Sequence, residues 1–277
     1  AGPPCMTVLS GQAGSGDEGT AMLEIVHDLA PSAQLYFATA FSGQASFAAN
    51  IRALRDAGCT VIVDDVTYFA EGAFQDGLIA QAVNDVTATG VLYFSSAANS
   101  GNKNDGTSGT WEGDFVNSGT TIPPVSAIEA GTVHSFSGAN SDQLTASSSY
   151  ISLKWSDPLG LSGNDYDLFI LDSGLSAVVG SSTNAQNGND DPYELVAGSW
   201  SVGWRVVVVN YLGAAAARAL RIDTNRGRLS ISTEGSTFGH NAGESTVSVA
   251  ATDGRAPGTG NPFTGGAANP IQTYSSD

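Results

Sequence analysis

Lysine is almost missing from this chain: Lys103 and Lys154 are the only two, and with arginine the bases reach 10 against 27 acids, a formal charge of −17 over 277 residues. A polyanion of this kind repels phosphate backbones and anionic lipid surfaces, which argues against nucleic acid and membrane as partners. Long apolar runs are lacking too, and none approaches the ~20 residues of a membrane-spanning helix. The opening AGPPCMTVLS has neither a basic nor a hydrophobic leader region, so the expectation is a secreted or cell-envelope protein whose signal peptide has been removed. Cysteine is limited to Cys5 and Cys59, and neither has a second cysteine or a histidine at ligand spacing. That excludes a cysteine-based metal centre and fits either one disulfide or two buried thiols.

What is present is apolar and glycine-rich: 41% hydrophobic residues, 13% charged and 34 glycines, a globular and loop-rich composition. The first 100 residues alternate strand and helix. CMTVLS, QLYFATA, TVIVDDV and VLYFSSAANSG read as strands. Between them GTAMLEIVHDLA carries Ala21, Ile25 and Leu29 at helical spacing and ends at Ala30-Pro31. SFAANIRALRDAG closes on Gly58, and GLIAQAVNDVTATG is a third helix. This alternation predicts an α/β fold, a parallel sheet with helices on both faces whose site lies beyond the carboxyl ends of its strands. From about residue 126 short β-rich segments follow one another with turns between them, which predicts an antiparallel β-sandwich. The expected division is an α/β domain over 1–125, an inserted β-sandwich over 126–233, and a return to the first domain over 234–277.

Four motifs carry a resemblance to known proteins. Glu18-Gly19-Thr20-Ala21 opens a helix, with adjacent Asp17 at its start. Leu29-Ala30-Pro31-Ser32-Ala33 follows that helix, and Ser96-Ala97-Ala98-Asn99-Ser100-Gly101 follows the fourth strand. Val247–Gly254 then leads to Tyr274-Ser275-Ser276. Their order and spacing resemble the subtilisin-like serine proteases and their acidic relatives, the sedolisins. The resemblance implies a bacterial-type serine endopeptidase fold acting on protein or peptide substrates. It puts Glu18 in the place of the subtilisin histidine and on the sedolisin glutamate, and makes Asn99 the side-chain donor of the oxyanion hole. It depends on no cofactor.

The chain departs from the family pattern at Ser10-Gly11, where subtilisins carry the triad aspartate, and at Met22, where sedolisins carry theirs. A subtilisin-like sheet implies a substitute, because its first strand lies beside the one corresponding to 60–66. Asp64 and Asp65 fall at the carboxyl end of that strand, and alternation sends them to opposite faces. The subtilisin register favours Asp65 for the site, with Asp64 as the other candidate. Two close carboxylates tend to share one proton, and such a pair accepts a proton from a serine hydroxyl at acidic pH. The family nucleophile lies in a Gly-Thr-Ser segment after the Ser-Ser turn. Gly106-Thr107-Ser108 precedes the β-rich part in a polar loop and reads as a decoy, so the remaining part of the same domain is the expected partner.

The implied sheet order also brings Cys5 beside Cys59. A disulfide there would contribute about 4 kcal/mol through its roughly 55-residue loop; two unpaired thiols are the alternative. The β-rich part resembles the pre-peptidase C-terminal modules of secreted bacterial proteases in Trp155–Pro158, Asp165–Asp172 and Asp190–Glu194. Asp165, Asp167, Asp190 and Asp191 offer oxygen ligands for calcium, against the alternative of solvated turns. A reading from another class remains open: a non-catalytic, degenerate peptidase scaffold that presents the β-sandwich to a ligand.

Overall fold

A computed structural model describes residues 6–12, 16–254 and 269–277. The first stretch runs β1 (Met6–Val8), α1 (Glu18–Leu29), β2 (Leu35–Phe37), α2 (Gln44–Asp56), β3 (Val61–Asp64), α3 (Leu78–Thr87) and β4 (Leu92–Ser96). β5 (Thr110–Asp114), the short α4 (Pro123–Ser126) and β6 (Gly131–Val133) follow. Next come β7 (Asp142–Ala146), β8 (Ser148–Trp155), β9 (Tyr166–Leu171), β10 (Val178–Ser182), β11 (Tyr193–Trp200), β12 (Arg205–Tyr211), β13 (Ala219–Thr224) and β14 (Arg228–Leu229). A 3-10 turn at Gly239–Ala242 leads to β15 (Val247–Val249). The fold is therefore mixed, with helices, parallel sheets and antiparallel sheets.

β3, β4 and β15 form a parallel sheet in the order β15-β4-β3, with Asp64 opposite Ser95 and Val249 opposite Ser96. α2 buries Phe47, Ala48 and Ile51, and α3 buries Ile79, Ala82, Val83 and Val86, the i, i+3, i+4, i+7 spacing of one helix face. These side chains pack on Ile62 and Tyr93 to form the core of this region. Alternation along β3 buries Ile62 and Asp64 and leaves Val61 and Val63 each 51% exposed. Leu92, Val247 and Val249 lie exposed on the neighbouring strands. Helices were expected on both faces; among the described residues only one face of this sheet is covered.

The first strand also lies elsewhere than expected. β1 pairs in parallel with β2, and among the described residues no ladder joins it to β3. Gln12, just past β1, reinforces the placement. Its Oε1 accepts from the Thr39 N–H at 2.8 Å and from Asn50 Nδ2 at 3.0 Å, which ties the exit of β1 to the exit of β2 and to α2.

The antiparallel part has sheets of order β11-β8-β13-β5 and β10-β9-β12-β7-β14, with β6 also on β12. Its pairing begins at β5, ahead of residue 126. One core lies between the sheets, built on Trp111, Leu153, Trp155, Tyr166, Ile170 and Ile222 among others. On the far side of β9 and β12, Phe169, Leu171, Val207 and Val209 meet Ile122, Val125 and Val133. Both faces of these strands are thus covered, which is why LFIL and VVVV read as unbroken apolar runs.

Candidate functional site

The carboxyl ends of β3, β4 and β15 lie side by side, and the loop leaving β4 borders a cleft of about 390 Å³. Asn99, Gly101, Thr107, Tyr274, Arg226 and Arg228 are among the residues that line it. Asn99 is exposed, and the residue before it, Ala98, has φ of +70°, a left-handed conformation costing an alanine about 1–2 kcal/mol. Surrounding bonds hold that turn: the Ala97 N–H donates to Val249 O at 2.9 Å, the Thr237 hydroxyl to Ala97 O at 3.0 Å, and the Ser276 N–H to Ala98 O at 3.2 Å. Backbone strain of this kind clusters at functional sites, and here it directs the chain so that Asn99 meets the cleft.

Glu18 is the first residue of α1 and is exposed. The first turn of α1 lies close on β2: a Cβ added to Gly19 would stand 2.8 Å from the Phe37 ring, so this position of the motif accepts no larger residue without a shift. Asp17 occupies the N-cap without a side-chain cap bond. Asp65 follows β3 and is exposed, whereas Asp64, one residue earlier, is 8% exposed. The two acids do face opposite ways. Neither is hydrogen-bonded to Glu18, and with β1 on β2 rather than β3 the expected juxtaposition of Glu18 and Asp65 does not form among the described residues.

Asp64 instead enters a buried polar network. Its Oδ2 accepts from the Tyr93 hydroxyl at 2.5 Å, and its Oδ1 from the Ser95 hydroxyl at 2.7 Å and the Val66 N–H at 3.2 Å. His240, from the 3-10 turn, reaches Asp64 Oδ1 through Nε2 at 3.3 Å and Glu71 Oε2 through Nδ1 at 2.7 Å. Its ring meets Phe47 edge-on at 5.5 Å and is fully buried. Burial alone would lower the His240 pKa, but the hydrogen bonds and charges of Asp64 and Glu71 raise it to about 9, so it is an imidazolium at neutral pH. Asn241 Nδ2 donates to Ser95 Oγ at 2.8 Å and to the Ser96 carbonyl at 3.0 Å. A cation sealed between two carboxylates and out of reach of a substrate anchors the returning chain; it does not transfer protons to a ligand.

No protein-family model matches this chain, and no curated protein matches it by sequence. Its chemistry therefore rests on its own residues. Histidine spacing gives no hint of the His240 network, because Glu71 and Asp64 precede His240 by 169 and 176 positions. The one local signal is Glu71 itself, a lone acid in the apolar stretch YFAEGAF.

Ser108 of the Gly-Thr-Ser decoy is 1% exposed and donates to Thr233 O at 2.9 Å, so it presents no nucleophile. Cys59 carries a free thiol whose pKa burial pushes up, and its expected partner Cys5 lies outside the described residues. Of the calcium candidates, Asp190 forms a backbone bridge with Ser162, and Asp191 accepts the Gly160 N–H at 2.8 Å. Asp165 and Asp167 lie near Glu129. Among the described residues no group of three acidic, histidine or cysteine side chains is arranged to hold a metal ion.

Proposed function

We propose that this chain is the front portion of a subtilisin/sedolisin-like serine endopeptidase of a secreted protein, with its antiparallel part an inserted β-sandwich of the pre-peptidase C-terminal kind. The observation that carries the reading is the placement of Asn99, exposed beside a strained residue at the mouth of a cleft beyond the carboxyl end of a parallel strand. In this reading Asn99 donates to the oxyanion that forms when a serine hydroxyl attacks the scissile carbonyl. The serine proton passes to the carboxylate site that includes Glu18 and is returned to the leaving amine. Asp64 is already engaged by Tyr93, Ser95 and His240, so Glu18 and not Asp64 is the carboxylate that takes this proton. The nucleophile belongs to a further Gly-Thr-Ser segment of the same domain. The uncovered apolar face of Val61, Val63, Leu92, Val247 and Val249 fits a domain that is completed by additional packing, because parallel sheets are ordinarily covered on both faces.

The test is casein hydrolysis at pH 3–5 by the protein together with its Gly-Thr-Ser segment. Glu18→Gln should abolish it, and Asn99→Ala should lower kcat by roughly 100- to 1000-fold. Hydrolysis that survives Glu18→Gln removes Glu18 from the mechanism. The lack of contact between Glu18 and Asp65, with Ser10 and Met22 at the triad-partner positions, favours a second reading: a degenerate scaffold that presents the β-sandwich to a ligand. That reading is supported if no variant and no pH gives cleavage.

A further inference from the structure

The Asn99 cleft carries an unusual charge for this molecule. Bases number only 10 against 27 acids, and most of the placed ones are spoken for. Arg52, Arg55, Lys154, Arg218 and Arg221 all form ion pairs. Arg226 and Arg228 are exposed, pair with no acid among the described residues, and both line the same cleft as Asn99. An unpaired arginine is easy to neutralise on so acidic a surface. Two left free, two positions apart at one cleft, are available for a ligand.

Their placement is also fixed in advance. Arg226 lies in the turn between β13 and β14 with φ of +57°. A Cβ on the neighbouring Gly227 would stand 2.9 Å from Thr224 Cβ and 3.0 Å from Ser148 Cβ, so the turn is packed down without space for a side chain at its centre. The Thr224 N–H and hydroxyl both donate to Gly109 O at 2.9 Å, and the Leu229 N–H donates to Ser108 O at 3.2 Å. The Asn225 N–H donates to Tyr150 O at 3.0 Å and its Nδ2 to Ser149 Oγ at 2.9 Å. The antiparallel part thus clamps its arginine turn onto the loop that follows Asn99. Cations held in place by the fold lose little freedom on binding, and guanidinium groups recognise carboxylates through paired N–H bonds.

We infer that this cleft binds acidic peptide segments, with Arg226 and Arg228 as the residues that select aspartate or glutamate side chains. The antiparallel part then sets specificity for a site whose Asn99 belongs to the parallel part, and Tyr274, half exposed, supplies an apolar wall for the peptide backbone. The inference names the substrate class of the cleft in the proposed function and rests on that reading for the peptide nature of the ligand.

The test is direct binding to the chain as it stands, with no need for a nucleophile. Fluorescence anisotropy is measured with a labelled, end-capped peptide containing Asp-Glu-Asp in an alanine frame, and with its Asn-Gln-Asn counterpart. The acidic peptide should bind roughly tenfold tighter or more, as charged hydrogen bonds imply. Raising salt should shrink that ratio, and an Arg226→Gln/Arg228→Gln double variant should abolish it while leaving far-UV circular dichroism unchanged. Equal binding of the two peptides, or a ratio that persists in the double variant, overturns the inference. Displacement of the peptide by inorganic phosphate at equal charge concentration overturns its peptide character and leaves a general anion site. An acidic preference without casein cleavage in the completed protein would sustain the inference while the peptidase reading falls; cleavage without that preference would do the reverse.

Discussion

The two halves of the molecule handle burial in opposite ways. The antiparallel part covers both faces of β9 and β12 and buries even its charges: Lys154, Arg221 and Asp223 are each no more than 3% exposed. Among the described residues the parallel part leaves one face of its three-stranded sheet open, and α1 buries none of its residues, with Leu29 84% exposed. The difference separates two tasks. Packing makes the antiparallel part a rigid support, whereas the parallel part carries the exposed candidate residues Glu18, Asp65 and Asn99. The seam between them is the segment from Gly235 to Asn241. Arg221 donates to the carbonyls of Gly235 at 2.7 Å and Ser236 at 3.0 Å, Lys154 and Arg221 both lie over the Phe238 ring, and His240 closes onto Asp64 and Glu71. Ser236 and Thr237 reach back to the carbonyls of Gly101 and Ala97, on either side of Asn99.

The largest effect should come from breaking the support. Burial alone would raise the Asp223 carboxyl, but Arg221 and Lys154 hold it down to about 2. Lys154 Nζ lies 2.8 Å from Asp223 Oδ2, and Arg221 reaches Oδ1, also at 2.8 Å. Asp223→Ala leaves both cations buried without their main partner and should cost about 3–5 kcal/mol in urea unfolding. A loss under 1 kcal/mol would show that the antiparallel part does not depend on its buried charges. The next effect tests the seam. The His240 pKa is raised to about 9 from a usual 6.5, so its contribution is fully present below pH 6.5 and is lost as pH rises through 9. Between those limits stability should fall by about 3 kcal/mol, and His240→Gln should flatten this alkaline slope. A slope unchanged in His240→Gln would assign the loss to another group.

The same contrast explains what the sequence makes legible. Periodicity marks α2, α3 and the parallel strands because each buries a face against its neighbours in chain order, as Ile62 and Tyr93 do beneath Phe47 and Ile79. Alternation at Asp64-Asp65 separates the two acids to opposite sides. The side that each takes is another matter. Burial of Asp64 depends on Ser95 across the sheet and on His240 far along the chain, and no local spacing encodes such a contact. The pairing of β1 is equally hidden, since the bonds of Gln12 to Thr39 and Asn50 that accompany it join residues far apart in sequence. The early start of the antiparallel pairing is hidden for a similar reason: TWEGD reads as polar loop, and only the register of β5 against Ala219–Asp223 makes it a strand. The position of Asn99 just past β4 is legible, because the loop that holds it follows directly from a strand that periodicity finds.

The smallest effect asks whether the antiparallel part carries any destabilising burial of its own. Asp167 is 2% exposed on β9 and lies close to Glu129 and Asp165. Burial, then the charges of Glu129 and Asp165, push its pKa up to about 9. A carboxyl raised in this way folds in its protonated form. Its contribution is intact below the ordinary carboxylate value near 4 and is lost progressively as pH rises toward 9. Asp167→Asn has no charge to bury. It should leave stability nearly unchanged at pH 4 and raise it by more than about 1 kcal/mol at pH 8, read as a pH-dependent difference in urea midpoint. The opposite result, a loss at pH 8, would mean that the Asp167 carboxylate is stabilised as a charge, and that the antiparallel part has satisfied this acid as fully as it has Asp223.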